Sequence, residues 1–146
     1  MSFRATTRIP LRRSALSVLN HNHYQHRLSS LRQLHTTQPK MTVHNLLTKP
    51  AFDEAVKNHN IVIVDAFATW CGPCKAIAPV IVKLSEEERF KDVFFAKIDV
   101  DDLPELSQEL GVTAMPTFVA FKNGEPGGKV VGANPKAIEN LVTSLL

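Results

Sequence analysis

Two continuous apolar runs dominate the hydrophobic pattern of the chain. They are Ile61–Phe67 (IVIVDAF) and Val93–Asp99 (VFFAKID), and both are rich in β-branched or aromatic residues. Neither run shows the strict alternation of apolar and polar positions that a half-exposed strand has. Continuous runs of this length are typical of strands that are covered on both faces of a sheet. The pattern therefore predicts two central, buried strands.

Two shorter segments further along the chain predict a hairpin. Residues 117–121 (TFVAF) and 129–131 (KVV) have a strand-like composition, and the dipeptide Asn123-Gly124 lies between them. Asn-Gly is among the strongest signals for a tight turn between antiparallel strands. The sequence Pro-Gly-Gly at 126–128 is an unusual opening for the last strand. It is tolerable only if that strand lies at the edge of the sheet.

Four segments carry apolar residues at the spacing of a helix face. They span residues 51–58, the stretch from the cysteines to about residue 90, residues 103–110 and residues 134–146. The second contains Pro79, which removes a backbone donor and predicts a kink. The last has Asn134 in place to cap it and Pro135 in its first turn. The order of elements predicts an α/β fold with a central mixed β-sheet flanked by helices on both faces.

Residues 1–40 differ in character from the rest of the chain. They hold seven of the seventeen Lys and Arg residues, six of them Arg, and no Asp or Glu. Their apolar positions Leu11, Ala15, Val18 and Leu19 recur at the spacing of one helical stripe. This composition is typical of a mitochondrial transit peptide, and a basic arm without a targeting role is the alternative. We expect the folded domain to span residues 41–146 and to work in the mitochondrial matrix. Met41 is also available as the start of a second, cytosolic form.

The net charge of the whole chain, +3, comes from this N-terminal segment. Residues 41–146 hold ten basic and fourteen acidic side chains, so the domain has a net charge of −4. An acidic domain without a basic patch gives no sign of nucleic-acid binding. No stretch approaches the roughly 18 apolar residues that a membrane-spanning helix needs. We therefore expect neither nucleic acid nor membrane as a partner. We also expect the protein to be a monomer.

Both cysteines of the chain, Cys71 and Cys74, lie in the segment ATWCGPCK. A zinc site needs about four ligands, and beyond this pair the domain offers only His44 and His59, which we take as ordinary surface residues. Covalent haem needs a His directly after the second Cys, where Lys75 stands. A structural disulfide would close a very small loop and stabilise the fold little. Dithiol–disulfide exchange is the chemistry that the local sequence favours, with no metal.

Cys71 falls where the first buried strand ends and a helix begins. Unpaired backbone N–H groups and the positive end of the helix dipole stabilise a thiolate at such a position. We therefore expect Cys71 to be the exposed attacking nucleophile and Cys74, one turn into the helix, to resolve the mixed disulfide. Gly72 lets the turn form, and Pro73 fits the first helical turn because it needs no N–H there.

Residues 42–146 resemble the thioredoxin family. The matching segments are DAFATWCGPCK at 65–75, KID at 97–99, MPTF at 115–118, FKNGE at 121–125 and VGA at 131–133. A CxxC pair alone is weak evidence, whereas WCGPC followed by MPTF and then FKNGE is very specific. The resemblance implies a thioredoxin fold and a general protein-disulfide reductase. It further implies a role in redox homeostasis, recharging by NADPH through thioredoxin reductase, and disulfide-containing clients, with peroxiredoxin as one candidate. No bound cofactor is implied.

The resemblance also implies where clients bind. Pro116 would be cis and would lie against the active disulfide, and the backbone beside it would pair with an extended client segment. The apolar docking face that the resemblance implies consists of Trp70, Gly72, Pro73, Met115, Val131, Gly132 and Ala133. In this scheme Trp70 packs and docks rather than taking part in the chemistry.

Asp65 lies near the end of the first apolar run, six residues before Cys71. Burial disfavours the charged form of a carboxyl and raises its pKa. Such a group can accept the proton of Cys74 as it attacks, directly or through water, and the resemblance assigns that role to this position. An Asp that merely caps the following turn is the alternative. Lys97 in the second run either pairs with Asp65 or is a solvated lysine at a strand edge.

Two other functions compete with the reductase. An oxidase or isomerase would donate its disulfide instead, which requires a much more stabilised Cys71 thiolate. The Gly-Pro dipeptide between the cysteines argues against it, because oxidising relatives usually place a His there. A non-catalytic binding subunit would use the docking face alone. A double substitution of both cysteines by Ser separates the last function from the others, since binding would survive it.

Overall fold

The structure is a computed structural model and describes residues 42–146, so the predicted transit peptide lies outside the described residues. The described part contains five strands and four α-helices. In chain order these are β1 (Val43–Asn45), α1 (Lys49–Asn58), β2 (Ile61–Phe67), α2 (Gly72–Glu86), β3 (Val93–Asp99), α3 (Pro104–Glu109), β4 (Thr117–Lys122), β5 (Glu125–Val131) and α4 (Pro135–Thr143).

The strands form one mixed sheet in the order β1-β3-β2-β4-β5. β3 pairs in parallel with both β1 and β2, whereas β4 runs antiparallel to β2 and to β5. The two predicted central strands, β2 and β3, are confirmed with the bounds given above. β1 was missed, because its three residues (VHN) carry no apolar run and it exists only through pairing with β3.

Helices cover both faces of the sheet, as predicted. Successive side chains of a strand point to opposite faces, so β2 contributes to two separate cores. Ile61 and Ile63 pack in one core with residues of α2 and α4, and Val62 and Val64 pack in the other with residues of α1 and α3. Asp65, two positions after Ile63, continues the row that faces α2. The alternation thus places this carboxyl on the same side of the sheet as the cysteines.

The predicted hairpin is confirmed, and its second strand lies at the edge of the sheet. Asn123 and Gly124 both adopt positive φ values, 53° and 85°, as a tight turn between antiparallel strands requires. β5 is longer than predicted, since it begins at Glu125 and includes the Pro-Gly-Gly sequence. Pro126 is tolerated because β5 has a partner on one side only.

The helix bounds differ from the prediction mainly at the ends. α1 begins two residues earlier, where the Thr48 side chain accepts a hydrogen bond from the Ala51 N–H. α2 runs through Pro79 but ends at Glu86. Glu88–Phe90 form a separate short 3-10 helix. The cap of α4 is as predicted, since the Asn134 side chain accepts from the Ala137 N–H. Within residues 42–146, no helix combines the length and the apolar character that crossing a membrane would take.

Candidate active site

The two cysteines form a disulfide at the N-terminus of α2. Cys71 is the N-cap residue, Cys74 lies in the first turn, and their Cα atoms are 5.4 Å apart. The backbone N–H of Cys74 donates a hydrogen bond to Sγ of Cys71 over 3.2 Å. In the reduced protein this Sγ is the thiol or thiolate sulfur, so the same N–H and the helix dipole favour the thiolate. The geometry supports Cys71 as the group that attacks.

The prediction that Cys71 is exposed is wrong. Only 5% of Cys71 and 4% of Cys74 is accessible to solvent. The pair packs against Ala68, which is buried, and against the partly buried Phe67, Val100 and Met115. The cysteine pair is buried because these three other parts of the chain pack against it. The local sequence around the cysteines does not reveal such contacts. A group that reacts with Cys71 must therefore approach along the surface that surrounds this sulfur.

Met115 lies beside the disulfide, and Pro116 follows it in the chain. The peptide bond between them is cis, Pro116 is fully buried, and Met115 packs against the cysteine pair. The Pro116 carbonyl accepts a hydrogen bond from the Gly132 N–H over 2.8 Å. This bond brings residues 131–133 next to Pro116. The structure thus joins segments that are far apart in the sequence into one surface around the cysteines.

The other predicted docking residues are mostly exposed. Trp70 is 65% exposed and Val131 is 55% exposed, which are high values for large apolar side chains. Gly72, Pro73 and Ala133 are exposed as well, and Gly132 is half-buried. An exposed apolar surface around a reactive group is typical of a binding site for another molecule.

Asp101 is a residue of this surface that the sequence analysis missed. The indole N–H of Trp70 donates a hydrogen bond to a carboxylate oxygen of Asp101 over 2.8 Å. Asp101 follows β3, and the adjoining Val100 N–H donates to the Phe67 carbonyl, which ties the two segments together. No local pattern marks Asp101, because thirty-one residues separate it from Trp70.

Asp65 is buried, with 6% of the residue accessible, and its Oδ1 atom has no hydrogen-bond partner. Burial raises the pKa of this carboxyl to about 7, and the positive charge of Lys97 opposes that effect. The cause is the loss of hydration of the charged form. Asp65 can therefore hold or release a proton near neutral pH, which fits the predicted proton acceptor better than a turn cap.

Lys97 lies opposite Asp65 in the parallel register of β2 and β3. Its ammonium group does not form an ion pair with Asp65 but lies over the ring of Phe67, with Nζ 5.1 Å from the ring centroid. β3 has neighbours on both sides, so Lys97 is not a strand-edge residue either. The structure makes Lys97 a nearby charge that acts on Asp65 without direct contact.

His44 and His59 are exposed, as expected, but they are not isolated. Both imidazole rings stack on Phe94, with centroid distances of 4.4 Å and 4.0 Å. Phe94 belongs to β3, so the His44 contact adds to the pairing of β1 with β3, and the His59 contact joins the end of α1 to β3. Among residues 42–146, no group of three or more His, Cys, Asp or Glu side chains is placed to hold a metal ion.

The site can be compared with known proteins. The family model described as Thioredoxin matches residues 43–144. The chain belongs to the thioredoxin family. Thioredoxin-2 of Pyricularia oryzae is 47% identical to it over 116 residues, which are 80% of this chain and 67% of that protein. Thioredoxin-3, mitochondrial, of Saccharomyces cerevisiae is 45% identical over 94 residues, which are 64% of this chain and 72% of that protein.

Solved structures confirm the predicted thioredoxin fold. The crystal structure of mitochondrial thioredoxin 3 from S. cerevisiae in its oxidised form has a TM-score of 0.67 and 41% identity, and the match covers 72% of this chain and 97% of that chain. A structure from work on how yeast mitochondrial 1-Cys peroxiredoxin is resolved via glutathione/thioredoxin systems has a TM-score of 0.66 and 41% identity, covering 70% and 95% of the two chains. As a thioredoxin, the chain is a thiol–disulfide oxidoreductase that acts on disulfide clients, and its redox group is the cysteine pair itself.

Proposed function

We propose that this thioredoxin is a general protein-disulfide reductase of mitochondrial redox homeostasis. The observation that carries the proposal is the Cys71–Cys74 disulfide at the N-terminus of α2, with a backbone N–H donating to the Cys71 sulfur. A sulfur in this position is a stabilised thiolate when reduced and a good attacking group near neutral pH.

In the first step the Cys71 thiolate attacks one sulfur of a client disulfide. A bond forms between Cys71 and that sulfur, the client disulfide breaks, and the second client sulfur leaves as a thiolate that takes up a proton. The product is a mixed disulfide between the protein and its client. The surface around Cys71 selects the client, because the buried sulfur is reached only through contact with that surface.

In the second step Cys74 attacks the Cys71 sulfur. The proton of the Cys74 thiol goes to Asp65, directly or through water, as the new bond between Cys71 and Cys74 forms. The client leaves with both sulfurs reduced, and the protein has lost the same two electrons. A carboxyl whose pKa lies at about 7 is suited to accept this proton at neutral pH. Lys97, as the opposing charge, keeps that pKa from rising further.

Clients dock on Trp70, Gly72, Pro73, Met115, Pro116 and residues 131–133. An extended client segment would place its backbone beside Pro116, as a short added strand, and its apolar side chains on Trp70 and Val131. The exposure of these two side chains supports the proposal. Peroxiredoxin is a candidate client, which the likeness to the yeast structure from the peroxiredoxin work supports.

Electrons reach the oxidised pair from NADPH through thioredoxin reductase, which is the second partner in the proposal. The mitochondrial matrix is the proposed compartment. Two observations support it, namely the Arg-rich and acid-free composition of residues 1–40 and the likeness to a mitochondrial thioredoxin of yeast. A fluorescent reporter fused to residues 1–40 should enter mitochondria, and one fused to residues 41–146 should not. Cytosolic location of the first fusion would overturn the compartment.

The reduction potential of the cysteine pair tests the proposed function. Residues 41–146 would be equilibrated with dithiothreitol buffers of known ratio, and the fraction of oxidised protein would be read by mass after alkylation. We expect a value of about −270 mV, which is typical of a thioredoxin and lies below the glutathione poise of about −220 to −260 mV obtained by biochemical extraction. A value of about −120 to −180 mV would instead place the protein among the oxidases and isomerases.

A further inference from the structure

The helix α3 ends in a pair of hydrogen bonds that turn the chain sharply. The Gly111 N–H donates to the Gln108 carbonyl and the Val112 N–H donates to the Ser107 carbonyl, each over 2.9 Å. Gly111 adopts a φ of +62°, which a residue without a Cβ adopts most easily. This is the Schellman arrangement of a helix C-terminus. It satisfies two carbonyls of the helix and begins the loop of residues 111–116, here named the Pro116 loop.

The carbonyls of the two residues at the turn, Leu110 and Gly111, are bound by a side chain from β5. Nζ of Lys129 donates to the Leu110 carbonyl over 2.8 Å and to the Gly111 carbonyl over 3.0 Å. A Cβ at position 111 would lie 3.0 Å from that Nζ, which shows how closely the ammonium approaches the turn. Lys129 is exposed, and the next β5 residues along the chain lead to Val131 and Gly132. A single charged group thus fastens the start of the Pro116 loop to the edge strand.

The other end of the Pro116 loop is fastened to the same part of the chain. The Gly132 N–H, one residue after β5, donates to the Pro116 carbonyl over 2.8 Å. Within the loop, the Ala114 carbonyl accepts a hydrogen bond from the hydroxyl of Thr117, the residue after the loop, over 2.6 Å. The loop is therefore held at both ends by β5 and the residue that follows it. Of the three donors Lys129, Thr117 and Gly132, only Lys129 donates from an exposed side chain.

We propose that Lys129 is a positioning residue for client recognition, which holds the Pro116 loop in the conformation that receives a protein client. The inference rests on the proposed docking of clients beside Pro116. A loop that must be ordered on binding weakens the complex, whereas a loop that is already ordered does not. Lys129 does not touch the cysteines, so its effect falls on the recognition of a protein client and not on sulfur exchange itself.

The test compares a protein disulfide with a small one. Reduced Lys129→Met, which keeps the apolar stem and loses the donors, would be mixed with excess insulin or with excess cystine. The oxidation rate would be followed through the fluorescence of Trp70, the only Trp of the chain. We expect the second-order rate constant for insulin to fall roughly fivefold, because two charge-assisted hydrogen bonds to the loop are lost. The rate constant for cystine should stay within error of wild type.

Two control variants separate positioning from general effects. Lys129→Arg keeps a cation that can donate to both carbonyls and should restore most of the insulin rate. Lys83→Met removes another exposed lysine, near the far end of α2, and should leave both rates unchanged. Thermal unfolding of every variant reports whether the fold is intact. An unchanged insulin rate in Lys129→Met, or equal losses with insulin and cystine, would overturn the inference.

A Val131→Asp variant, measured alongside, distinguishes this inference from the proposed docking surface. Val131 is exposed at the end of β5, and a charge there should lower the insulin rate if clients dock on this surface. If Val131→Asp lowers the insulin rate and Lys129→Met does not, only the role of Lys129 fails. If neither variant changes the insulin rate, the docking surface itself fails.

Discussion

Asp65 and Lys97 face each other across two adjacent parallel strands, yet their charges do not meet. Asp65 Oδ1 is buried without a hydrogen-bond partner, and Lys97 Nζ lies 5.1 Å from the centroid of the Phe67 ring. Loss of hydration raises the pKa of the Asp65 carboxyl by more than the positive charge of Lys97 lowers it. The pKa therefore rises to about 7. This relationship gives the site a proton acceptor at neutral pH, and it makes Asp65 costly for stability when ionised.

The first prediction concerns the pH dependence of stability. Between pH 3.8, the ordinary pKa of Asp, and about 7, the folded protein keeps the Asp65 proton that the unfolded chain releases. The folded state binds more protons in this window, so the free energy of unfolding decreases as the pH rises through it. Asp65→Asn should remove this decrease and be more stable than wild type above pH 7, by up to roughly 4 kcal/mol. Urea unfolding of the oxidised proteins at pH 5 and pH 8 measures it.

The exposed Asp92 offers the matched control for this measurement. Asp92→Asn should follow the wild-type pH dependence, because the side chain is exposed and its removal relieves no burial. If Asp65→Asn and wild type lose the same stability between the two pH values, burial of Asp65 is not the cause.

The second prediction concerns the resolving step. Asp65→Asn should fold and should form the mixed disulfide with a client at nearly the wild-type rate, since Cys71 keeps its environment. Attack by Cys74 should slow by roughly tenfold to a hundredfold, because a general base contributes factors of this size or more. Rapid acid quenching and mass spectrometry would show the mixed disulfide accumulating. Unchanged turnover with insulin would remove Asp65 from the mechanism.

The third prediction assigns the order of the two cysteines. Cys74→Ser should form a stable mixed disulfide with a client through Cys71, because the resolving thiol is absent. Cys71→Ser should form no such adduct, since the Cys74 N–H and the N-terminal end of α2 stabilise a thiolate at position 71 and not at position 74. Both variants should reduce insulin no faster than the uncatalysed reaction. Non-reducing electrophoresis with an oxidised client distinguishes them, and an adduct in Cys71→Ser alone would reverse the roles.

The fourth prediction concerns the hydrogen bond between Trp70 and Asp101. Asp101→Ala removes the acceptor of the indole N–H, so Trp70 should become more mobile on the docking face. We expect the rate constant for insulin to fall roughly threefold, in line with the loss of one exposed charge-assisted hydrogen bond. Time-resolved fluorescence anisotropy of Trp70 should show faster local motion. Asp102→Ala, one residue along, is the control, and equal effects in both variants would point to charge rather than to the hydrogen bond.

Local sequence was enough to predict the elements that are marked by a pattern within a few neighbouring residues. The apolar runs predicted β2 and β3, Asn123-Gly124 predicted the hairpin, and Asn134 predicted the start of α4. In each case the signal lies within a few residues, as strand periodicity, turn conformation and helix capping require. The reactive pair at the start of α2 was predicted for the same reason.

Only the tertiary structure decided the features that depend on contacts between distant residues. β1 exists because it pairs with β3, Cys71 is buried because Met115 and Val100 pack against the disulfide, and Lys129 binds two carbonyls that lie 19 and 18 residues before it in the chain. The pKa of Asp65 likewise depends on what surrounds it across the sheet. Periodicity in the sequence records which face of an element is apolar, but it does not record which element covers that face or where a long charged side chain ends. The reactive residues of the site could therefore be predicted from the sequence. The burial of the site, its charge balance and the surface around it depend on packing between distant segments.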